Sequence, residues 1–284
     1  MVFLSLIVRY YNEPFLDEFV DYYFSEGVNI IYILYDTKST IPISDKVKNN
    51  PRVFIVESSI DLGTNKENFW KGTNELYKRI RHTSKWFIYV DCDEFINTRT
   101  NPNSTIRDEL MTTFKDADCI KIPWIMMSCN KRNTDPPNIL QHIVHRWNHD
   151  NKHPHPTKWT KGRCRYRHIQ VKCIFKSQIF DYITDHCPNP PSNNKPFKCV
   201  DGVYNNLANL NSLHNNLREN DINNAFMVCH HYRVISKQSC RRKFVNNGFG
   251  AYNGDFKNLW ICDYNEVLDE TLKEKSIRKF GIKQ

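Results

Sequence analysis

Residues 86–96 read WFIYVDCDEFI, an apolar run that ends in Asp91, Asp93 and Glu94. Burying unpaired carboxylates is costly, so a strand that only fills a core has no use for the three together. Either the segment is a strand end turned into solvent, or the carboxylates hold something positive. In an extended segment residues two apart point the same way, which would put Asp91 and Asp93 on one side and Cys92 on the other, toward the core. Two carboxylates on one side of a sheet edge suit a hard divalent cation such as Mn2+ or Mg2+, which takes few protein oxygens and leaves positions for phosphate. Asp-x-Asp is common by itself, so the elements that carry it decide its meaning.

Those elements follow from hydrophobic periodicity. VFLSLIV reads as a buried strand. NEPFLDEFVDYYFSEG reads as a helix, with Asn12 as cap, Pro14 in the first turn and Gly27 in a left-handed conformation after its end. Its apolar face is Phe15, Leu16, Phe19, Val20 and Tyr23. NIIYILYD and RVFIVES are the second and third strands. KENFWKGTNELYKRI is a helix with Phe69, Thr73, Leu76, Tyr77 and Ile80 on one side, and KWFIYVD is the next strand. Continuous apolar strands alternating with amphipathic helices imply a mainly parallel sheet covered on both faces. Such sheets bind ligands at the carboxyl ends of their strands, where RYYNE, YDTKS and DCDEF should converge. Neither a G-x-G-x-x-G dinucleotide fingerprint nor a P-loop is present.

Beyond residue 119 the pattern loosens. CIKIPWIMMSC and HIQVKCIFKS read as strands, FDYITDHCPN as a shorter one, and 130–168 as a long basic loop region. Residues 188–224 are rich in Asn and Pro. FMVCHHYRV is a late strand, and SKQSCRRKFVNNG a basic helix capped by Ser236 and ended by Gly248. The last thirty residues read as a helical appendage.

The 284 residues, 40 % apolar and 25 % charged, are enough for one large α/β domain or a domain plus an appendage. A formal charge of +9 points to an anionic partner without choosing among nucleic acid, a phospholipid surface and a phosphorylated small molecule. The ten cysteines form no C-x-x-C pair and read as reduced, mostly buried thiols rather than a disulfide framework. No stretch reaches the length of a membrane span, and MVFLSLIV, interrupted by Arg9, reads as a strand rather than a signal peptide. The expectation is a cytoplasmic protein, or a catalytic domain taken from a longer anchored chain.

FLSLIVRYYNEPFLDEFVDYYFSEGVNIIYILYDTKS, then WFIYVDCDEFI, then CHHYRVISKQSCRRKF resemble the family-92-type glycosyltransferases and related family-2-like enzymes of GT-A fold, over roughly residues 3–250. The resemblance implies a Rossmann-like nucleotide-diphospho-sugar transferase fold, a mixed and mainly parallel sheet flanked by helices. It implies a catalytic domain over 1–235, with a nucleotide-binding half at 1–100 and an acceptor half at 101–235, and a helical extension at 236–284. In that family the D-x-D motif binds Mn2+ (or Mg2+) bridging the donor diphosphate. Carried over, Asp93 and Asp91 become metal-site residues, and Asp91 could instead face the ribose. Nucleotide contacts fall on Arg9, Tyr10, Asn12, Glu13 and Asp36, although Asp36 also suits a simple turn. A late histidine on the metal falls on His231, with His230 behind it and His186 in reserve. Lys237, Arg241 and Arg242 could cover the diphosphate or form a solvated helix face. Asp185 and Asp135 are candidates for the base that takes the acceptor's proton if transfer inverts.

The implied partners are a nucleotide-diphosphate sugar, UDP-linked, and a glycan or glycoconjugate acceptor that could be phosphate-rich or membrane-bound. Four competing readings stand beside this one. Metal-dependent nucleotidyl transfer uses the same strand-end logic, and a fold of this kind could also have lost catalysis and only bind glycan. KWTKGRCRYRH suits a nucleic-acid binder, but a phosphate backbone leaves residues 91–94 without a role. His142, His145, His149, His153 and His155 invite structural zinc, against which stand Pro154 and Pro156 and the lack of a cysteine pair.

Overall fold

The computed structural model describes residues 1–58, 66–151, 169–208, 210, 213–214, 217–247, 260 and 263–282. In chain order these form β1 (Val2–Tyr10), α1 (Leu16–Ser25), β2 (Ile30–Asp36), α2 (Asp45–Lys48), β3 (Val53–Ser58), α3 (Lys66–Ile80), β4 (Ser84–Asp91), β5 (Glu94–Thr98), α4 (Ile106–Met111) and β6 (Cys119–Ser128). There follow α5 (Ile139–His142), β7 (His145–Arg146), β8 (Ile169–Lys176), β9 (Cys199–Asp201), β10 (Leu213–His214), α6 (Glu219–Asn223), β11 (Met227–His231), α7 (Lys237–Asn247), β12 (Val267–Leu268) and α8 (Thr271–Phe280). The fold is mixed α/β and divides into two compact units. The first holds Met1–Cys92, Ser104–Ile122 and Val171–Ser212, and the second Asp93–Asn103, Pro123–Gln170 and Leu213–Gln284.

In the first unit β1 is parallel to both β2 and β4, and β2 is parallel to β3. β8 runs antiparallel along β4, with Trp86 opposite Lys176. Leu4, Leu6, Ile7 and Val8 of β1 and Ile31 and Ile33 of β2 are fully buried, the expected state of a parallel strand covered on both faces. The strand order runs β3-β2-β1-β4, so the chain moves outward from β1 to β3 and then crosses back to β4 on the other side. That reversal makes the β1/β4 boundary a topological switch point, the place where such sheets open a crevice at their carboxyl ends. Tyr77 and Leu76 of α3 pack under the sheet against Phe87 and Phe175.

In the second unit β5 pairs antiparallel with β11, and β11 runs parallel to the last residues of β6. Buried ions organise this unit. Asp269 accepts from Arg99 at 2.7 Å and from the Arg146 Nε at 2.8 Å, and Arg146 also forks onto Glu219. Burial alone would raise both carboxyls, but it is outweighed by His230 and then Arg99 at Asp269, and by His149 and then Arg146 at Glu219, which hold both well below the usual range. The C-terminal helix α8 is fixed here too, with Lys275 donating to Thr98 at 2.8 Å and Gln141 to Ser276 at 3.1 Å.

Three local expectations differ from what the chain does. Asn12 is not a helix cap: its φ of +56° is left-handed, and α1 starts only at Leu16. Its Oδ1 instead accepts from the backbone of Thr40 and Ile41 at 2.6 and 3.0 Å, because the loop after β2 offers more donors than the helix end does. FDYITDHCPN makes only a single bridge, Ile183 to Pro188, and its other residues serve as loop. β4 stops at Asp91 and Cys92–Asp93 form a turn before β5, so the two-residue alternation that would align Asp91 with Asp93 does not operate. By contrast, Ser236 caps α7 as expected, accepting from the Ser239 N–H at 2.9 Å.

Gly27 ends α1 with φ +88°, and a Cβ there would lie 2.5 Å from the Cβ of Arg107. Gly27→Ala should therefore lose about 2 kcal/mol or more, since a left-handed L-residue alone costs roughly 1–2 kcal/mol. Thermal unfolding should show this as a fall of several degrees in Tm. An unchanged Tm would contradict the close approach of α1 and α4.

Candidate functional site

The switch point of the first unit carries charge. The last register pair of β1 and β4 is Arg9 with Asp91, and the two side chains meet at 2.6 Å. Lys172, from the middle of β8, takes the other Asp91 oxygen at 2.9 Å. Its ammonium also donates to the backbone oxygen of Asp185 at 2.9 Å, and it lies 3.7 Å from the Asp185 carboxylate. Arg9 sits 3.7 Å from that same carboxylate oxygen. Two cations thus bridge two carboxylates. Tyr89 lies beneath, its ring centre 5.4 Å from the Lys172 ammonium and 6.0 Å from the Arg9 guanidinium.

Burial alone would raise the Asp91 carboxyl, but Lys172 and Arg9 outweigh it and hold the group far below its ordinary value. Arg9 is pushed above its ordinary value, because its anionic neighbours overcome its own burial. His186 completes the cluster. Its Nδ1 pairs with the Val171 carbonyl at 3.0 Å and its Nε2 lies 3.6 Å from Asp185. Burial first, and then the Lys172 charge, push its imidazole down to about 4.

Beside this cluster the loops after β1 and β2 are tied together through Asn12. Asp36, at the end of β2, is buried; its Oδ1 accepts from the Lys38 N–H at 2.9 Å, which is turn chemistry. Its Oδ2 and the Asn12 Nδ2 are both buried, and among the described residues neither has a hydrogen-bond partner. Orphaned polar atoms at strand ends mark where a ligand or ordered water can complete the bonding. Tyr10 is buried, with its ring 5.9 Å from that of Tyr35 and its hydroxyl on the Ile41 carbonyl at 2.9 Å. Glu13 is half-buried in the loop after β1.

In the second unit Asp93 and His231 are both buried and face each other, Nε2 to Oδ1 at 3.7 Å. The ring of His231 packs 4.2 Å from that of Trp124, and the Tyr232 N–H donates to the Asp93 carbonyl at 2.8 Å. His230 is fully buried on the opposite side of β11, 4.0 Å from Asp269, and burial holds its imidazole below the usual value. Asp135 is bound by Ser236, by Ser239 at 2.6 Å and by Arg242 at 2.7 Å. Those bonds outweigh its burial and lower its carboxyl, so it is a weak base at the start of α7. Arg242 is thereby a structural partner of Asp135. Lys237 is half-buried, and its N–H donates to the Arg132 carbonyl at 2.9 Å.

A carboxylate and an imidazole 3.7 Å apart fit a divalent cation that keeps water or phosphate in its other positions, so Asp93 and His231 fit Mn2+ or Mg2+. Asp91 fits less well, because a metal would have to displace Lys172 or Arg9. Among the described residues no three His, Cys, Asp or Glu side chains form a group that could hold a metal ion. His142 and His149 bond to the carbonyls of Asn138 and Trp124, whereas His153, His155, Gly248 and the KWTKGRCRYRH segment lie outside the described residues. Among the described residues no helix is long and apolar enough to cross a membrane. Lys172 carries no motif, yet a lysine inside the apolar strand HIQVKCIFKS was a legible sign of a buried charge needing partners.

No family model matches this chain, and no curated protein is similar to it in sequence. Among solved structures, the chain is similar in part to glucosyl-3-phosphoglycerate synthase from Mycobacterium tuberculosis, determined with Mn2+, uridine diphosphate and phosphoglyceric acid. The identity is 8 % and the TM-score 0.31, over 63 % of this chain and 57 % of that protein's length. So slight a likeness carries nothing about activity.

The His186 imidazole gives the first unit a pH dependence of known sign. With about 4 in the fold against 6.5 for the free side chain, the unfolded chain binds the extra proton. This contribution is whole above about pH 6.5, declines as the pH falls, and levels off below about pH 4. The difference in unfolding free energy between wild type and His186→Gln should shrink by roughly 2–3 kcal/mol across that window. Urea denaturation between pH 7 and 4.5 measures it, and a pH-independent difference would contradict a neutral, half-buried His186.

Proposed function

We propose that this chain is a GT-A-type glycosyltransferase that moves a sugar from a nucleoside-diphosphate donor, UDP-linked, to a hydroxyl of a glycan or glycoconjugate. The observation that carries the reading is the meeting of Arg9 and Asp91 at the β1/β4 switch point, beside the orphaned polar atoms of Asn12 and Asp36. Many functions share this strand order, so the chemistry at the crevice must choose among them. An ionised carboxylate, a guanidinium and unpaired amide and carboxylate groups suit a ligand with both hydroxyls and phosphates. The resemblance of residues 3–39, 86–96 and 229–244 to family-92-type enzymes supports the same choice.

In this reading Asp36 and Asn12 accept from and donate to the nucleoside. Arg9, with part of its side chain at the surface, offers positive charge to the diphosphate while keeping Asp91 ionised. Asp93 and His231 of the second unit would hold Mn2+ or Mg2+, which when bound supplies positive charge for phosphate oxygens. If the transfer inverts, Asp185 is the better base of the two candidates: 41 % of its side chain is exposed, whereas Asp135 is bonded through both oxygens.

Calorimetric titration with UDP, GDP and their sugar conjugates tests the proposal, with and without Mn2+. One nucleotide should bind, and Asp36→Ala should weaken it at least tenfold with or without metal. Asp93→Asn should remove the part of the affinity that Mn2+ adds. Absence of binding by every nucleotide, or binding indifferent to Asp36 and Asp93, would refute the transferase reading. Release of pyrophosphate from a nucleoside triphosphate would turn it toward nucleotidyl transfer.

A further inference from the structure

We infer that Lys172 is a positioning residue for this site, a role that rests on the nucleotide-binding reading above. Its side chain is fully buried, so it does not reach a ligand itself. It is flanked in β8 by Val171 and Cys173, both buried in the apolar core. A lysine in such surroundings would give up its proton unless anions held it. Here the ammonium is held by the Asp91 carboxylate at 2.9 Å, the Asp185 backbone oxygen at 2.9 Å and the Asp185 carboxylate at 3.7 Å, above the Tyr89 ring.

The arrangement does more than join two strands. Arg9 binds one oxygen of Asp91 and Lys172 the other, so the carboxylate plane is fixed from both sides. The same ammonium grips the main chain of Asp185, and so sets the reach of a residue that lies on a loop rather than on a strand. One buried charge therefore bears on the position of both carboxylates. Without it, Asp91 loses the ammonium on its second oxygen, and the main chain at Asp185 loses one of its ties to β8, beside that of His186 to the Val171 carbonyl.

The test compares Lys172→Met with Val171→Ala, which removes core volume from the same strand and touches no charge. UDP and GDP, each with Mn2+, are titrated calorimetrically against wild type and both variants, and Tm is recorded for each. Lys172→Met should lose at least tenfold in affinity for the nucleotide that wild type binds. Val171→Ala should stay within about twofold despite a lower Tm, and Lys172→Arg should recover most of the loss. If Lys172→Met does not fold, Lys172→Gln, polar and uncharged, takes its place with the same expected loss. Wild-type affinity in the neutral variant, or equal losses in it and Val171→Ala, would overturn the inference and leave the proposed function standing. A wild type that binds neither nucleotide would overturn both.

Discussion

Asp91 held between two cations is the interaction on which the first unit turns. It joins the carboxyl ends of β1 and β4 to the middle of β8, and through Lys172 it reaches the loop that carries Asp185. Each of these groups would be expensive to bury by itself. Together they are tolerable, because Asp91 is bonded by Arg9 and Lys172 within 3 Å, Lys172 also donates to the Asp185 backbone oxygen, and both cations lie 3.7 Å from the Asp185 carboxylate. Such a cluster contributes little net stability compared with an apolar packing of the same volume, so its presence at a sheet's switch point calls for another purpose. The result is a fixed, ionised carboxylate beside a partly exposed guanidinium.

The second unit buries charge in a different way. Arg146 and Asp269 are almost wholly enclosed, and Arg99, Glu219 and Thr271 complete their bonding. This network binds β7, α6 and the start of α8 to one another. Removing one member would strand the others in the core, so the network specifies how these short elements pack. Asp93 and His231 belong to the same unit but not to that network: they face each other at 3.7 Å.

Much of the architecture was legible because burial writes it into the sequence. The continuous apolar runs of β1, β2 and β4 could only belong to strands covered on both faces, and Gly27 and Ser236 marked the ends of helices through backbone and capping chemistry that no other reading explains. That RYYNE, YDTKS and the end of WFIYVD gather at one edge follows from parallel strands alone. What sequence could not supply was partnership. Asn12 looked like a helix cap and instead braces the loop at Ser39–Ile41, since cap and brace use the same side-chain oxygen. Asp91 and Asp93 looked like a pair, yet a turn at Cys92–Asp93 gives them separate partners. Lys172 inside an apolar strand announces a buried charge, but the sequence does not name the carboxylate that meets it.

The central claim is that the carboxyl ends of β1, β2 and β4 form a nucleoside-diphosphate site. Amide hydrogen exchange, followed by mass spectrometry with and without saturating UDP and Mn2+, tests it most directly because it locates binding without assuming a reaction. Added ligand should slow exchange in peptides covering residues 9–13, 36–41 and 89–93. Unchanged exchange in all three segments, with slowing confined to other parts of the chain, would contradict the account.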